Sequence, residues 1–167
     1  MSSNSLRETT DARAAQARLD ALGTARSTDA IAERAELLRV LGRIDEAFAT
    51  AEESYRLAFF TGDREQVTLA RLRRARVLQD KGNLERALAD VKACRQAAHT
   101  EGWGEVEASA LYQQASVLVD MGKLEDARVA VSELIQLRVA QDAPAEQLAL
   151  LNSALEDIMR RMLIEPS

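Results

Sequence analysis

The sequence predicts an all-α fold, an array of three helical hairpins with a further helix at each end. Three observations predict it. The stretches Gly42-Arg43-Ile44-Asp45-Glu46-Ala47, Gly82-Asn83-Leu84-Glu85-Arg86-Ala87 and Gly122-Lys123-Leu124-Glu125-Asp126-Ala127 share one pattern and stand forty residues apart. Apolar residues recur at three- and four-residue spacing on both sides of each stretch. Alanine, leucine, arginine and glutamate, all good helix formers, dominate the composition.

The bulk composition narrows the function classes. The 167 residues suffice for one ordinary domain. Apolar residues make up 47% and charged residues 29%, with only two prolines, which suits a folded chain rather than a disordered one. The net charge of −5 runs against the basic balance of nucleic-acid binders. The single Cys94 excludes an internal disulfide and a cysteine metal cluster. No apolar run reaches the length of a membrane span. Met1 to Thr10 is polar and lacks the apolar core of a secretion signal, so the expected location is the cytoplasm.

Residues 1–9, rich in serine and threonine, are expected to form a flexible tail, with residues 10–167 as a single domain. Ala12, Ala15, Leu19 and Leu22 share one helical face and predict an N-terminal capping helix over 10–23, ended by Gly23. The first repeat, 27–62, opens at Ser27-Thr28-Asp29, where a hydroxyl or carboxylate can accept free amides. Ile31, Ala35, Leu38 and Leu41 then form one apolar stripe. Gly42 closes that helix, because glycine enters the left-handed backbone of a tight turn without steric cost. The second helix, from about Ile44 to Phe60, turns Ile44, Ala47, Phe48, Ala51, Tyr55 and Ala58 inward. Repeats 63–102 and 103–142 copy this plan, with Gly102 forty residues after Gly62. A last helix is expected over 144–163, with Pro144 in its first turn, where a missing N–H costs nothing.

These features resemble the tetratricopeptide repeat family over roughly residues 28–140. The family's small residue on the first helix matches Ala35, Ala75 and Ala115. Its turn glycine matches Gly42, Gly82 and Gly122. Its alanine on the second helix matches Ala47, Ala87 and Ala127. A further small residue matches Ser54 and Cys94, with Leu134 in the third repeat. The period of forty exceeds the family's 34 and lengthens each helix. The family's aromatic near the start of the first helix is replaced by Ile31, Arg71 and Leu111. The resemblance implies an α-solenoid with a right-handed superhelix, and peptide or protein binding in the concave groove lined by the first helices.

On the positions that match this groove stand Ala32, Glu36 and Arg39, then Leu72, Arg73, Arg76 and Gln79, then Tyr112, Gln113, Ser116 and Val119. Arg73 and Arg76 are three apart and point the same way, suited to gripping a carboxylate or phosphate. The plain alternative is that Arg64, Arg71, Arg73, Arg74 and Arg76 merely solvate a helix. Tyr112 offers an aromatic anchor with a polar tip. Trp103 reads as a hydrophobic staple for the helix that follows rather than an exposed anchor. Of Phe59 and Phe60, at least one is expected to pack against the next helix. The lysine and asparagine pattern by which chaperone-binding members hold a C-terminal carboxylate is absent from these positions.

The last helix carries two stripes. Leu148, Leu151, Leu155, Ile158 and Met162 form one, and Leu150, Ala154, Met159 and Leu163 extend it sideways. One stripe can cap the array while the other meets a partner, such as a second copy of the chain. Alternatively the whole helix lies deeper than a cap.

Catalysis finds no support. His99 and Cys94 are five apart on a helix and face different ways. No glycine-rich phosphate loop, metal-ligand cluster or cofactor motif is present. The expected function is therefore a non-catalytic adaptor or scaffold that binds a protein or peptide, with neither nucleic acid nor membrane as partner. The alternatives are a regulatory or sensory protein whose repeats take a small ligand or signalling peptide, and a homo-oligomerisation module.

Overall fold

The computed structural model describes residues 3–165, and side chains from residue 11 onward. Among the described residues it is helical, without strands: α1 Ser3–Leu22, α2 Thr28–Val40, α3 Ile44–Thr61, α4 Arg64–Asp80, α5 Leu84–Glu101, α6 Gly104–Asp120, α7 Leu124–Ala140 and α8 Ala145–Ile164. No helix is long and apolar enough to cross a membrane. The first helix starts at Ser3, so it covers most of the stretch read as a tail. The remainder of that tail, residues 1 and 2, lies outside the described residues.

Seven turns separate these helices, and a residue of positive φ stands in each, Gly23 at 50° in the first. Gly42, Gly62, Gly82, Gly102, Gly122 and Asp142 carry φ between 53° and 81°, at constant intervals of twenty residues. Gly122 shows what this residue does. Its N–H donates to the Val119 carbonyl at 3.0 Å, and the N–H of Lys123 donates to the Leu118 carbonyl at 2.9 Å. This doubly bonded ending satisfies carbonyls that the helix leaves open. Arg43 after Gly42, Trp103 after Gly102 and Ala143 after Asp142 donate in the same way. At Asp142 the sequence lacks the glycine, and a short polar side chain tolerates the left-handed backbone instead.

Among the described residues, helix starts are capped by side chains at two places. Ser27 accepts from the N–H of Ala30, and Asp63 accepts from those of Glu65 and Gln66. Pro144 stands at the N-cap of α8 rather than within its first turn, and Gly104 is the first residue of α6.

The chain groups into two compact units, Met1–Gly82 and Asn83–Ser167. The boundary falls at the turn inside the expected second repeat. In the first unit each helix packs on the next, and α2 also packs on α4. Its core joins Ala35 and Leu38 of α2, Ala47 and Ala51 of α3 and Val77 of α4, with Leu19, Ile44 and Phe48 at the edge. In the second unit α5 packs on α6, α6 on α7 and α7 on α8. There Ala108 and Leu111 meet Leu134 and Leu151.

Small residues set the helix separation. Ala35, Ala75, Ala115, Ala47, Ala87 and Ala127 are all buried, as are Ser54 and Cys94. One aromatic expectation is overturned. Phe59 is 66% and Phe60 86% exposed, so neither packs as a core residue, although the Phe59 ring lies 6.4 Å from that of Tyr55. The inward positions of α3 are already filled by Ala51, Ser54 and Ala58, which leaves the last turn's aromatics on the outer side. Trp103 is half-buried at the N-cap of α6.

The turn geometry gives a direct prediction. A Cβ built on Gly122 meets no atom within 4 Å, so Gly122→Ala tests backbone strain alone. Urea unfolding is expected to show a loss of about 1–2 kcal/mol, the cost of a left-handed alanine.

Candidate functional site

The sequence singled out Glu36 and Arg39 on α2 with Arg73, Arg76 and Gln79 on α4. The packing of α2 on α4 brings most of this set together in the first unit. Arg39 clasps Glu36 through two hydrogen bonds, of 2.6 and 3.0 Å, and reaches Asp80 at 3.0 Å. Arg76 approaches the same Glu36 carboxylate at 3.8 Å. Gln79 is half-buried one turn beyond Arg76. The hydrogen bond from Arg39, reinforced by the charges of Arg39, Arg76 and Arg73, holds the Glu36 carboxyl below its ordinary pKa. The same bond raises the Arg39 guanidinium further. These charges neutralise one another, which changes their expected role. They form an internal network across the α2–α4 seam rather than an anion grip waiting for a ligand. Arg73 is the exception, since it lines a separate pocket between α2, α3 and α4.

The alternative that all the arginines of α4 merely solvate the helix fails at Arg74. It is only 8% exposed. Its guanidinium lies 4.3 Å from the centre of the Tyr55 ring and 3.4 Å from Glu52. The physical reason is helix geometry. Arg74 sits four residues after Ala70 and three before Val77, on the buried face of α4. The ring and the carboxylate of α3 make that burial tolerable. The charge of the residue type hid this position from a pattern reading.

Tyr112, Gln113 and Ser116 belong to the second unit. Gln113 is only 4% exposed, so it lies inside the unit and presents nothing to an open groove. The reason is that α6 packs against both α5 and α7, and Gln113 and Gln114 fall among its buried positions. Tyr112 is 60% exposed. Tyr112, Ser116 and Val119 line a groove of about 300 Å³ between α6 and α8. Val131 and Leu134 of α7, with Leu151 and Ile158 of α8, supply apolar surface, while Asp120, Asp157 and Arg161 add charge.

The register explains why a groove opens here. Counting in forties, Arg74 of α4 and Gln114 of α6 correspond to Ala154 of α8, and Val77 and Val117 correspond to Asp157. The earlier four are buried. Ala154 is too short to fill that place, and the Asp157 carboxylate stays in water, paired with Arg160 at 3.0 Å. The two stripes of α8 separate as the pattern predicts. Leu151 and Ile158 are buried, Leu148, Leu155 and Met162 half-buried, and Leu150, Ala154, Met159 and Leu163 exposed. The helix therefore does not lie deep within the unit.

Chemistry-bearing residues elsewhere are dispersed. Cys94 is buried, while His99 is exposed with Nδ1 2.9 Å from Glu107 Oε1. Among the described residues no three histidine, cysteine or acidic side chains cluster to hold a metal. No protein-family model, no curated protein and no solved structure matches the chain.

The Glu36 network gives a pH dependence with a definite sign. Because the folded carboxyl titrates below its ordinary value of 4.5, its contribution to stability is present above that pH and disappears as pH falls through the folded value. Urea unfolding of the wild type and Glu36→Gln is expected to show a deficit in the variant at pH 7 that shrinks as the pH falls below 4.5.

Proposed function

We propose that this chain is a non-catalytic, cytoplasmic binding module that holds a helical segment of a partner protein in the α6–α8 groove. The single observation that carries the reading is the apolar groove with Tyr112 exposed on its wall. Two helices with a third beneath them make a cradle into which an amphipathic helix lays apolar side chains at i, i+3 or i+4, and i+7. Tyr112 is the anchor type that dominates such contacts, large and stiff with a polar tip. The carboxylates of Asp120 and Asp157 on the rim favour a segment with lysine or arginine beside its apolar face. This shifts the expected site from α4, where Arg76 approaches the Glu36 carboxylate at 3.8 Å, to the second unit.

The fold underlying the proposal is a tetratricopeptide-like array of three hairpins in a right-handed solenoid. The twenty-residue interval of left-handed turn residues and the buried alanines at family positions support it. A second reading, self-association through α8, is supported by the exposed Met159, Leu163 and Ile164.

Ala154 is exposed and lines the groove, so Ala154→Trp fills it without disturbing the core. A peptide-display selection on the wild type is expected to enrich amphipathic helical sequences with basic flanks. Their binding to Ala154→Trp should fall at least about tenfold, a loss of 1.4 kcal/mol. Sequences that bind both proteins equally would place the contact elsewhere, and no enrichment at all would remove the reading.

A further inference from the structure

A second pocket, of about 280 Å³, lies wholly in the first unit, where α2 and α4 begin and α3 ends. Its lining is polar in an unusual way. Arg73 reaches it from α4, Asp29 from the first turn of α2, Ser54 from α3 and Gln66 from the start of α4. Ala32, Ala58 and Ala70 complete the wall, and their small side chains are what leaves the space.

The polar groups of this pocket are not spent on one another. Arg73 is half-buried, yet its guanidinium makes no hydrogen bond or ion pair among the described residues. Burial pulls its pKa down, and the charges of Asp29 and Glu36 only partly offset this. The carboxylate of Asp29 is likewise without a bonded partner among the described residues, and it stands exposed at the mouth. Ser54 is more than nine-tenths buried, and its hydroxyl has no partner among the described residues either. Asp63 is different, since its carboxylate already accepts from the N–H groups of Glu65 and Gln66 at 3.0 and 3.1 Å.

A half-buried guanidinium without a partner is costly, and its planar fork matches a carboxylate through two parallel bonds. A purely anionic ligand would meet the repulsion of Asp29. A ligand bearing both charges satisfies both walls. We propose that this pocket binds a small zwitterion of the α-amino-acid type, its carboxylate on Arg73, its ammonium at Asp29. The Ser54 hydroxyl and the Gln66 amide supply further polar contacts, and the alanine wall limits the side chain to small or medium size. This site is independent of the α6–α8 groove and does not rest on the function proposed for it.

Isothermal titration of the full chain against each of the twenty common amino acids tests the proposal, with acetate and ethylamine as single-charge probes. At least one amino acid is expected to bind, and acetate and ethylamine to bind at least about tenfold more weakly. Arg73→Gln and Asp29→Asn are each expected to weaken that binding at least about tenfold, with helical circular dichroism unchanged. No binding by any amino acid up to about 10 mM would overturn it. So would acetate binding as tightly as the best amino acid, or full binding by both variants.

Discussion

A left-handed residue every twenty positions is the constraint on which the rest of this structure depends. It stops each helix at the same length, so α3 through α7 run 17 or 18 residues each. The buried alanines therefore recur at fixed heights from the turn, seven residues before or five after Gly42, Gly82 and Gly122. Small residues at those heights let neighbouring backbones approach closely, which buries the leucines and valines beside them. No single glycine is indispensable to this scheme, as Asp142 shows, but the backbone conformation is.

The α6–α8 groove opens where the scheme is broken. Helix α8 keeps the inward positions, with Leu151 and Ile158 forty residues after Leu111 and Leu118. It does not keep the next row, where Ala154 and Asp157 stand in place of long or apolar side chains. It also lacks the turn glycine, since Met162 stands forty residues after Gly122 and the helix continues to Ile164. An apolar surface is thus left uncovered by the same register that closes the other seams. The first unit departs in a different way. There the seam between α2 and α4 is filled by an internal charge network, and the opening lies at the helix ends around Arg73.

Much of the fold was legible because periodicity and turn chemistry act locally. The helices, the glycine turns between them and the split stripes of α8 follow from spacing alone. What escaped the sequence was the fate of charged, amide and aromatic side chains at seam positions. Arg74 lies at an interior azimuth and survives there on an aromatic ring and a carboxylate supplied by α3. Gln113 is interior because α6 has neighbours on two sides, a tertiary fact. Phe59 and Phe60 are exposed because the alanines and serine of α3 already occupy the inward row. The pairing of Arg39 and Arg76 with Glu36 likewise depends on how α2 and α4 meet. The Arg73 pocket depends on three helices at once, so no spacing rule along one of them announces it.

The central claim is that the α6–α8 groove is an unfilled seam, open because α8 lacks the side chains that close the equivalent place earlier in the chain. The most direct measurement is the urea unfolding free energy of an Ala154→Met, Asp157→Val double variant. Losing the exposed Asp157–Arg160 pair costs little. If the groove is an unfilled seam, the added apolar groups bury themselves and stability rises by about 2 kcal/mol. Unchanged or lower stability would mean that the groove is held open by other contacts, and would contradict the account.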